Sequence, residues 1–260
     1  MKNSLPAVIL AGGLGTRLRE ETEFKPKPMI DIGGRPILWH IMKHLSDYGI
    51  SRFVICVGYK GDTIRDYFLN YRARNNDFTV QLGSNQDLTF HSDHQESEWN
   101  VTIAETGALT NTGGRVFRIR EYVKGQDFLC TYGDGLSDLD ITKLRSYQQE
   151  KNVVATVTAV RPVSRFGVLE IDSKGGVKTF KEKPQADGWI NGGFFLFKPK
   201  IFDYLSEDIV LENEPLQKLA GDNQLVAFKH EGFWQPMDTY RETKLLNDLW
   251  NSGVAPWRIR

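Results

Sequence analysis

Near the start of the chain the apolar run Val8-Ile9-Leu10-Ala11 passes without a polar break into Gly12-Gly13-Leu14-Gly15-Thr16-Arg17. Residues 6 to 11 read as a buried strand, and the glycines that follow force a tight turn directly at its end. Without a Cβ, Gly12, Gly13 and Gly15 allow positive φ and let several backbone N–H groups approach an anion. Arg17 adds a charged fork of donors, and Lys25-Pro26-Lys27-Pro28-Met29 places two more cations one short loop away. Phosphate is the expected guest. The turn is neither a P-loop, since no GK[ST] follows, nor a dinucleotide fingerprint, since Arg17-Leu18 stand where a third glycine is needed.

The first 135 residues alternate strand and helix, which implies right-handed crossovers and a mostly parallel sheet. Strands are expected at 6–11, 52–57, 78–82, 99–103 and 127–132, and helices at 36–49, 62–74 (capped by Asp62) and 113–123; 83–98 reads as a solvated loop. The second half is richer in β-structure. Strands are expected at 153–160 and 193–197, a hairpin at 167–171 and 177–181 that extends the same sheet, and helices at 199–205, 214–220 and 238–251. A length of 260 residues suits one large α/β domain. With 33 basic and 33 acidic residues the net charge is zero, so no general affinity for nucleic acid is expected and any anion site must be local. No apolar run reaches the ~20 residues of a membrane span and no secretory signal opens the chain, so no membrane association and a cytoplasmic location are expected. Cys56 and Cys130 lie in apolar strand-like runs and read as buried free thiols.

Three further segments carry candidate chemistry. In Thr131-Tyr132-Gly133-Asp134-Gly135 a carboxylate follows the C-terminal end of an apolar strand, the edge of an open parallel sheet where ligands bind. Asp134 is therefore either a Mg²⁺ ligand or a strand-end Asx-turn. Asp238 reads as the N-cap of the last helix, or as a second carboxylate of the site, or both. Glu182-Lys183, with Asn191-Gly192-Gly193 nearby, reads as a charged solvated turn or as a group for a phosphate monoester and sugar hydroxyls. The loop Thr106 to Arg115 enters a helix whose N-terminus favours anions; Arg115 is the candidate there, while Arg118 and Arg120 read as solvated. His40 and His44 read as helix-face residues rather than metal ligands, and His91, His94 and His230 as surface residues.

Together, Leu10 to Leu18 with Pro26-Lys27-Pro28, Tyr132-Gly133-Asp134-Gly135, Arg165-Phe166-Gly167, Glu182-Lys183-Pro184, Asn191-Gly192-Gly193-Phe194 and Asp238 resemble the sugar-1-phosphate nucleotidyltransferases over nearly the whole chain. Ile37 to Lys43, Thr112 to Arg115 and Gly232 to Thr239 resemble the cytidylyl-transferring branch of that family. Arg19-Glu20-Glu21-Thr22, where thymidylyl and uridylyl relatives usually carry a proline, fits the same branch. The resemblance implies a Rossmann-like α/β fold: a mostly parallel mixed sheet flanked by helices, with a small β-rich sugar-binding extension. Residues 1–135 would form a nucleotide-binding half and 136–260 a sugar-phosphate half. It further implies CTP and glucose 1-phosphate as substrates, Mg²⁺ as cofactor and a homo-oligomer. Leu10, Ala11, Gly12, Gly13, Leu14, Gly15, Thr16, Arg17, Lys27, Thr110, Arg115 and Gly133 would bind the nucleotide; Gly167, Glu182, Lys183 and Asn191 the sugar phosphate; Asp134 and Asp238 the metal. Arg17, Lys27 and Asp134 would serve catalysis. The alternatives are a uridylyl or thymidylyl transferase and a non-catalytic nucleotide-sugar-binding module.

Overall fold

The computed structural model describes residues 5–15, 22, 24–83, 87–164 and 166–258. Seven strands form the central sheet: β1 (Ala7–Leu10), β2 (Arg52–Val57), β3 (Asn100–Glu105), β4 (Phe128–Tyr132), β5 (Ala155–Val160), β6 (Ile190–Phe197) and β7 (Leu225–His230). Their spatial order is β7-β5-β6-β4-β1-β2-β3, and β6 alone runs antiparallel to its neighbours. The expected mostly parallel mixed sheet is thus present. From β1 the chain builds outward through β2 to β3, then returns to place β4 on the other side of β1. That reversal opens a crevice beyond the carboxyl ends of β1 and β4, the usual ligand position in open α/β sheets.

The strands read as continuous apolar runs because both faces of the sheet are covered. Ala7, Ile9 and Ala11 with Phe53, Ile55 and Val57 face one core, filled by Ile37, Leu38, Ile41, Met42 and Leu45 of helix α1 (Ile37–Asp47). Val8, Leu10, Val54, Cys56, Phe128 and Cys130 face a second core on the other side. Both cysteines are buried free thiols, and burial pushes the Cys56 thiol up to about 12. Register brings the strand ends level, with Leu10 beside both Cys56 and Tyr132.

Several local expectations are corrected. The helix expected at 62–74 is two, α2 (Gly61–Leu69) and α3 (Tyr71–Asn75); Asp62 lies in the first turn rather than at the cap. Within the expected loop at 83–98, residues 88–90 pair with 78–80. Helix α4 (Thr112–Arg118) is followed by a short 3-10 turn at 120–122. Helix α5 (Ile141–Lys151), capped by the Asp140 carboxylate accepting from Lys143 N, and edge strand β7 were not expected. The segment 199–204 is 3-10, ahead of helix α6 (Glu214–Gly221). The hairpin 168–171/177–181 forms its own two-stranded sheet, not an extension of the central one, and its strands are exposed. His230 is not a surface group, whereas His40 and His44 lie on a helix as expected, on its buried face. His40 and His44 are held in the core by the carbonyls of Ile32, Leu139 and Trp257; His230 sits against Ser137, Asp138 and the Phe233 carbonyl.

Helix α7 (Tyr240–Asn251) begins one residue later than the Asp238 cap reading requires. Thr239 accepts from Glu242 N at 3.4 Å while the Glu242 carboxylate accepts from Thr239 N at 2.9 Å, a reciprocal capping box. Glu242 also accepts from Asp238 N at 2.7 Å. The cap is thereby formed without the Asp238 carboxylate, which turns toward the crevice.

Candidate active site

A cavity of about 380 Å³ occupies that crevice, walled by the β1 turn, the β4 end, the loop before α4, and the segments carrying Lys27 and Asp238. The β1 end is fixed by Ala11 N donating to Cys56 O (3.0 Å) and Gly133 N donating to Leu10 O (3.0 Å). The glycines of the turn differ in role. Gly15 adopts φ +64°, whereas a Cβ at Gly12 would collide with the Arg115 guanidinium.

Lys27 sits in a 3-10 turn preceded by extended Pro26, which directs its side chain into the cavity. Its ammonium lies 2.6 Å from Asp134 Oδ2 and 2.6 Å from Asp238 Oδ1. Burial alone would lower the lysine's pKa; the charges and hydrogen bonds of Asp134 and Asp238 together outweigh it and raise the pKa above the ordinary lysine value. Lys27 is therefore a fixed cation at neutral pH. Two carboxylates converge on one point at the strand ends, with side chains 34% and 17% exposed. Among the described residues no group of three or more His, Cys, Asp or Glu side chains gathers as a metal cluster. Two carboxylates nonetheless suit Mg²⁺, which commonly takes one or two from the protein and completes its octahedron with phosphate and water.

Arg115 also borders the cavity, but the residue is only 4% exposed and its guanidinium is turned into the wall. It donates to the carbonyls of Gly12 (2.9 Å), Val57 (3.2 Å), Gly107 (2.8 Å) and Ala108 (3.4 Å) and to Thr106 Oγ1 (2.8 Å). It ties the β1 turn, the β2 end and the loop before α4 to one another.

Of the residues singled out by sequence, Leu10, Ala11, Gly12, Gly13, Gly15, Lys27, Thr110, Arg115, Gly133, Asp134 and Asp238 line this one cavity. Leu14 is exposed beside it, and Thr16 and Arg17 lie outside the described residues. Gly167, Glu182 and Lys183 cluster on the exposed hairpin, with Lys183 Nζ 3.2 Å from Glu182 Oε1, and do not line the cavity. Asn191 is at its margin: its Oδ1 accepts from Gly193 N at 2.8 Å and its Nδ2 reaches the Tyr132 hydroxyl at 3.5 Å. Lys25 is turned away to Asp31 at 2.6 Å.

Sequence reasoning missed Glu212. It accepts from the Tyr132 hydroxyl and, at 2.6 Å, from Thr112 Oγ1, while Thr112 Oγ1 accepts from Leu211 N at 3.0 Å. The loop before α6 is thereby bound to the cavity wall. An acid two residues before the start of a helix is ordinary in sequence, so Glu212 carried no signal of its own.

Residues 6–235 match the family described as "Nucleotidyl transferase". The chain is 50% identical over 257 residues to "Glucose-1-phosphate cytidylyltransferase" of Salmonella typhi, covering 98% of this chain and 99% of that protein. It is 44% identical to "Probable glucose-1-phosphate cytidylyltransferase" of Bacillus subtilis strain 168, covering 98% and 100%. Among solved structures it resembles HddC from Yersinia pseudotuberculosis, with TM-score 0.70, 26% identity, and coverage of 95% and 99%. Sequence, sheet order and the position of the cavity agree, and the chain belongs to the nucleotidyl transferase family.

Proposed function

We propose that this chain transfers the cytidylyl group of CTP to α-D-glucose 1-phosphate, giving CDP-glucose and pyrophosphate. The observation that carries the transfer chemistry is the convergence of Lys27, Asp134 and Asp238 at the mouth of a glycine-turned strand end. The choice of cytidine and glucose rests on the 50% identity to the Salmonella relative.

In this reading a phosphate oxygen of the sugar phosphate attacks the α-phosphorus in line, and pyrophosphate leaves. That oxygen is already ionised at neutral pH, so neither a general base nor a covalent residue is required. The difficulty is charge: two polyanions must meet. Lys27, kept protonated by its two carboxylates, has a third N–H to offer a phosphoryl oxygen, and the β1 turn offers backbone N–H groups. Asp134 and Asp238 would hold Mg²⁺, which supplies neutralisation of the phosphates and of the charge developing on the leaving group. Arg17 would add a cation to the triphosphate. Lys183 and Glu182 would meet the sugar phosphate and its hydroxyls if the hairpin closes over the crevice, with Gly167 and Asn191 beside them. The exposed apolar residues of that hairpin, Phe166, Leu169 and Phe180, support a homo-oligomer.

The test is pyrophosphate release by the purified protein, with CTP, UTP and dTTP compared side by side against glucose 1-phosphate and Mg²⁺. Release is expected with CTP, only when both glucose 1-phosphate and Mg²⁺ are present. No release with any triphosphate would overturn the reading, and faster release with UTP or dTTP would overturn the choice of base.

A further inference from the structure

Tyr132, at the end of β4, borders the crevice, and the transfer chemistry gives it no task. Its ring is fixed on two sides. Phe195 meets it edge to face, with centroids 6.1 Å apart and 83° between planes. Gly193, at φ +79°, brings its backbone so close that a Cβ there would stand 2.5 Å from the ring. The remaining freedom is the rotation of the hydroxyl, and Glu212 takes it. The Tyr132 hydroxyl donates to Glu212 Oε1, and Thr112 Oγ1 donates to Glu212 Oε2 at 2.6 Å. An ionised carboxylate accepts and cannot donate, so both hydroxyl protons must point at it. Burial, joined by the charge of Glu212, raises the Tyr132 pKa, so the phenol keeps its proton.

The segment that carries Glu212 is docked by other contacts. Gly114 N donates to Ile209 O at 3.0 Å, Leu211 N to Thr112 Oγ1 at 3.0 Å, and Asn111 Nδ2 to Asp208 Oδ1 at 2.9 Å. Leu211 itself is fully buried. What the carboxylate adds is direction. With its proton committed to Glu212, the Tyr132 oxygen is left as an acceptor. Asn191 Nδ2 approaches that oxygen at 3.5 Å, too long for a strong bond. Asn191 Oδ1 is occupied by Gly193 N at 2.8 Å, which fixes the amide and leaves Nδ2 as the donor on this side. An acceptor and a donor therefore stand side by side at the margin of the crevice, and a hydroxyl serves both, donating to Tyr132 and accepting from Asn191.

We propose that Glu212 is a positioning residue for the transfer reaction: it orients the Tyr132 hydroxyl so that Tyr132 and Asn191 together bind one hydroxyl of the hexose phosphate. This rests on the reading in which the sugar phosphate enters beside Asn191. Glu212 then governs affinity for the sugar phosphate, acting through Tyr132, and has little effect on affinity for the nucleotide.

The test is steady-state pyrophosphate release at saturating CTP and Mg²⁺ with glucose 1-phosphate varied, together with calorimetric titration of CTP. Tyr132→Phe and Glu212→Met should each raise KM for glucose 1-phosphate by about tenfold, the worth of one hydrogen bond, with smaller changes in kcat and in CTP affinity. The double variant should be no worse than Tyr132→Phe alone, because Glu212 acts through that hydroxyl. Glu212→Gln, which keeps one acceptor, should have a lower KM than Glu212→Met. An unchanged KM in either folded single variant, additive losses in the double variant, or an equal loss of CTP affinity would overturn the proposal while leaving the transfer reading intact. No release by the parent with any triphosphate would overturn both. Should Glu212→Met fail to fold, the monodeoxy analogues of glucose 1-phosphate decide with the parent and Tyr132→Phe. One analogue should be about tenfold poorer than glucose 1-phosphate for the parent and equal to it for the variant; the same ratio in both proteins for every analogue would overturn the proposal.

Discussion

Replacing Arg115 by Met separates two roles that a cation beside a phosphate cavity can have. The guanidinium donates to five oxygens, but they are not equally dependent on it. Val57 O also accepts from Thr106 N at 3.0 Å and from Thr106 Oγ1 at 2.7 Å, and Ala108 is exposed, so water replaces the arginine there. The Gly12 and Gly107 carbonyls are left without their donor. An unsatisfied buried carbonyl costs about 1–3 kcal/mol, and relief from burying a guanidinium offsets part of the sum. A net loss of about 3 kcal/mol follows, or roughly 6–12 °C in Tm at 2–4 °C per kcal/mol for a chain of this size. With the β1 turn released, calorimetric titration with CTP should show at least tenfold weaker binding. Arg115→Lys should fall between, since one ammonium cannot reach carbonyls on three separate segments. If Arg115→Met melts within 2 °C of the parent yet loses CTP binding, the guanidinium contacts nucleotide directly and the tethering argument fails.

Asp134→Asn should lower kcat by about 10²–10³-fold while moving Tm by less than 2 °C; near-normal pyrophosphate release would remove Asp134 from the site. Lys27→Met leaves Asp134 and Asp238 facing each other without their cation, so millimolar Mg²⁺ should raise the variant's Tm more than the parent's; equal responses would refute the idea that ammonium and metal compete for one position. The parent's Lys27 contribution is fully present below the ordinary lysine pKa and fades only as pH rises through the raised folded value, so the stability gap between the two proteins should narrow in that alkaline range. Burial depresses His40 to about 4. The unfolded chain therefore binds the extra proton first, and stability present above pH 6.5 is lost toward pH 4, by about 2–3 kcal/mol. Urea titrations at several pH values should show that dependence flattened in His40→Gln, and identical slopes would contradict it. Thr239→Ala should cost about 1 kcal/mol through the lost cap, read as a 2–4 °C fall in Tm, with turnover preserved.

Much of the sheet was legible because its strands are buried on both faces, and a continuous apolar run such as Phe53 to Val57 needs no periodicity to stand out. Elements that bury little were not. Helix α5 presents Ile141, Leu144 and Gln148 to the core and is otherwise polar, and β7, at the edge of the sheet, alternates without a fully buried residue. The short strand at 88–90 has no buried side chain at all. The helix start near 238 was a matter of choosing between adjacent cap formers. Asp238 and Thr239 both qualify, but only Thr239 has a glutamate three residues on, and that spacing was visible in the sequence.

The candidate site was legible in parts and not as an arrangement. Gly12, Asp134 and Asp238 each carried a local signal, yet the contacts that give them meaning join Lys27 to carboxylates 107 and 211 residues away. Arg115 likewise reaches Gly12 across 103 residues. Glu212, which binds Tyr132 and Thr112 from the loop before α6, belongs to the same category: its position exists only once the sheet has closed. The two carboxylates that would hold a metal are kept together, in the absence of nucleotide, by a lysine supplied from a third segment. Without that cation their repulsion would oppose the docking of α7 against the β4 end. Lys27 therefore assembles the crevice before any substrate arrives, and its substitution should disturb packing and transfer together, whereas loss of either carboxylate alone should disturb transfer far more than packing.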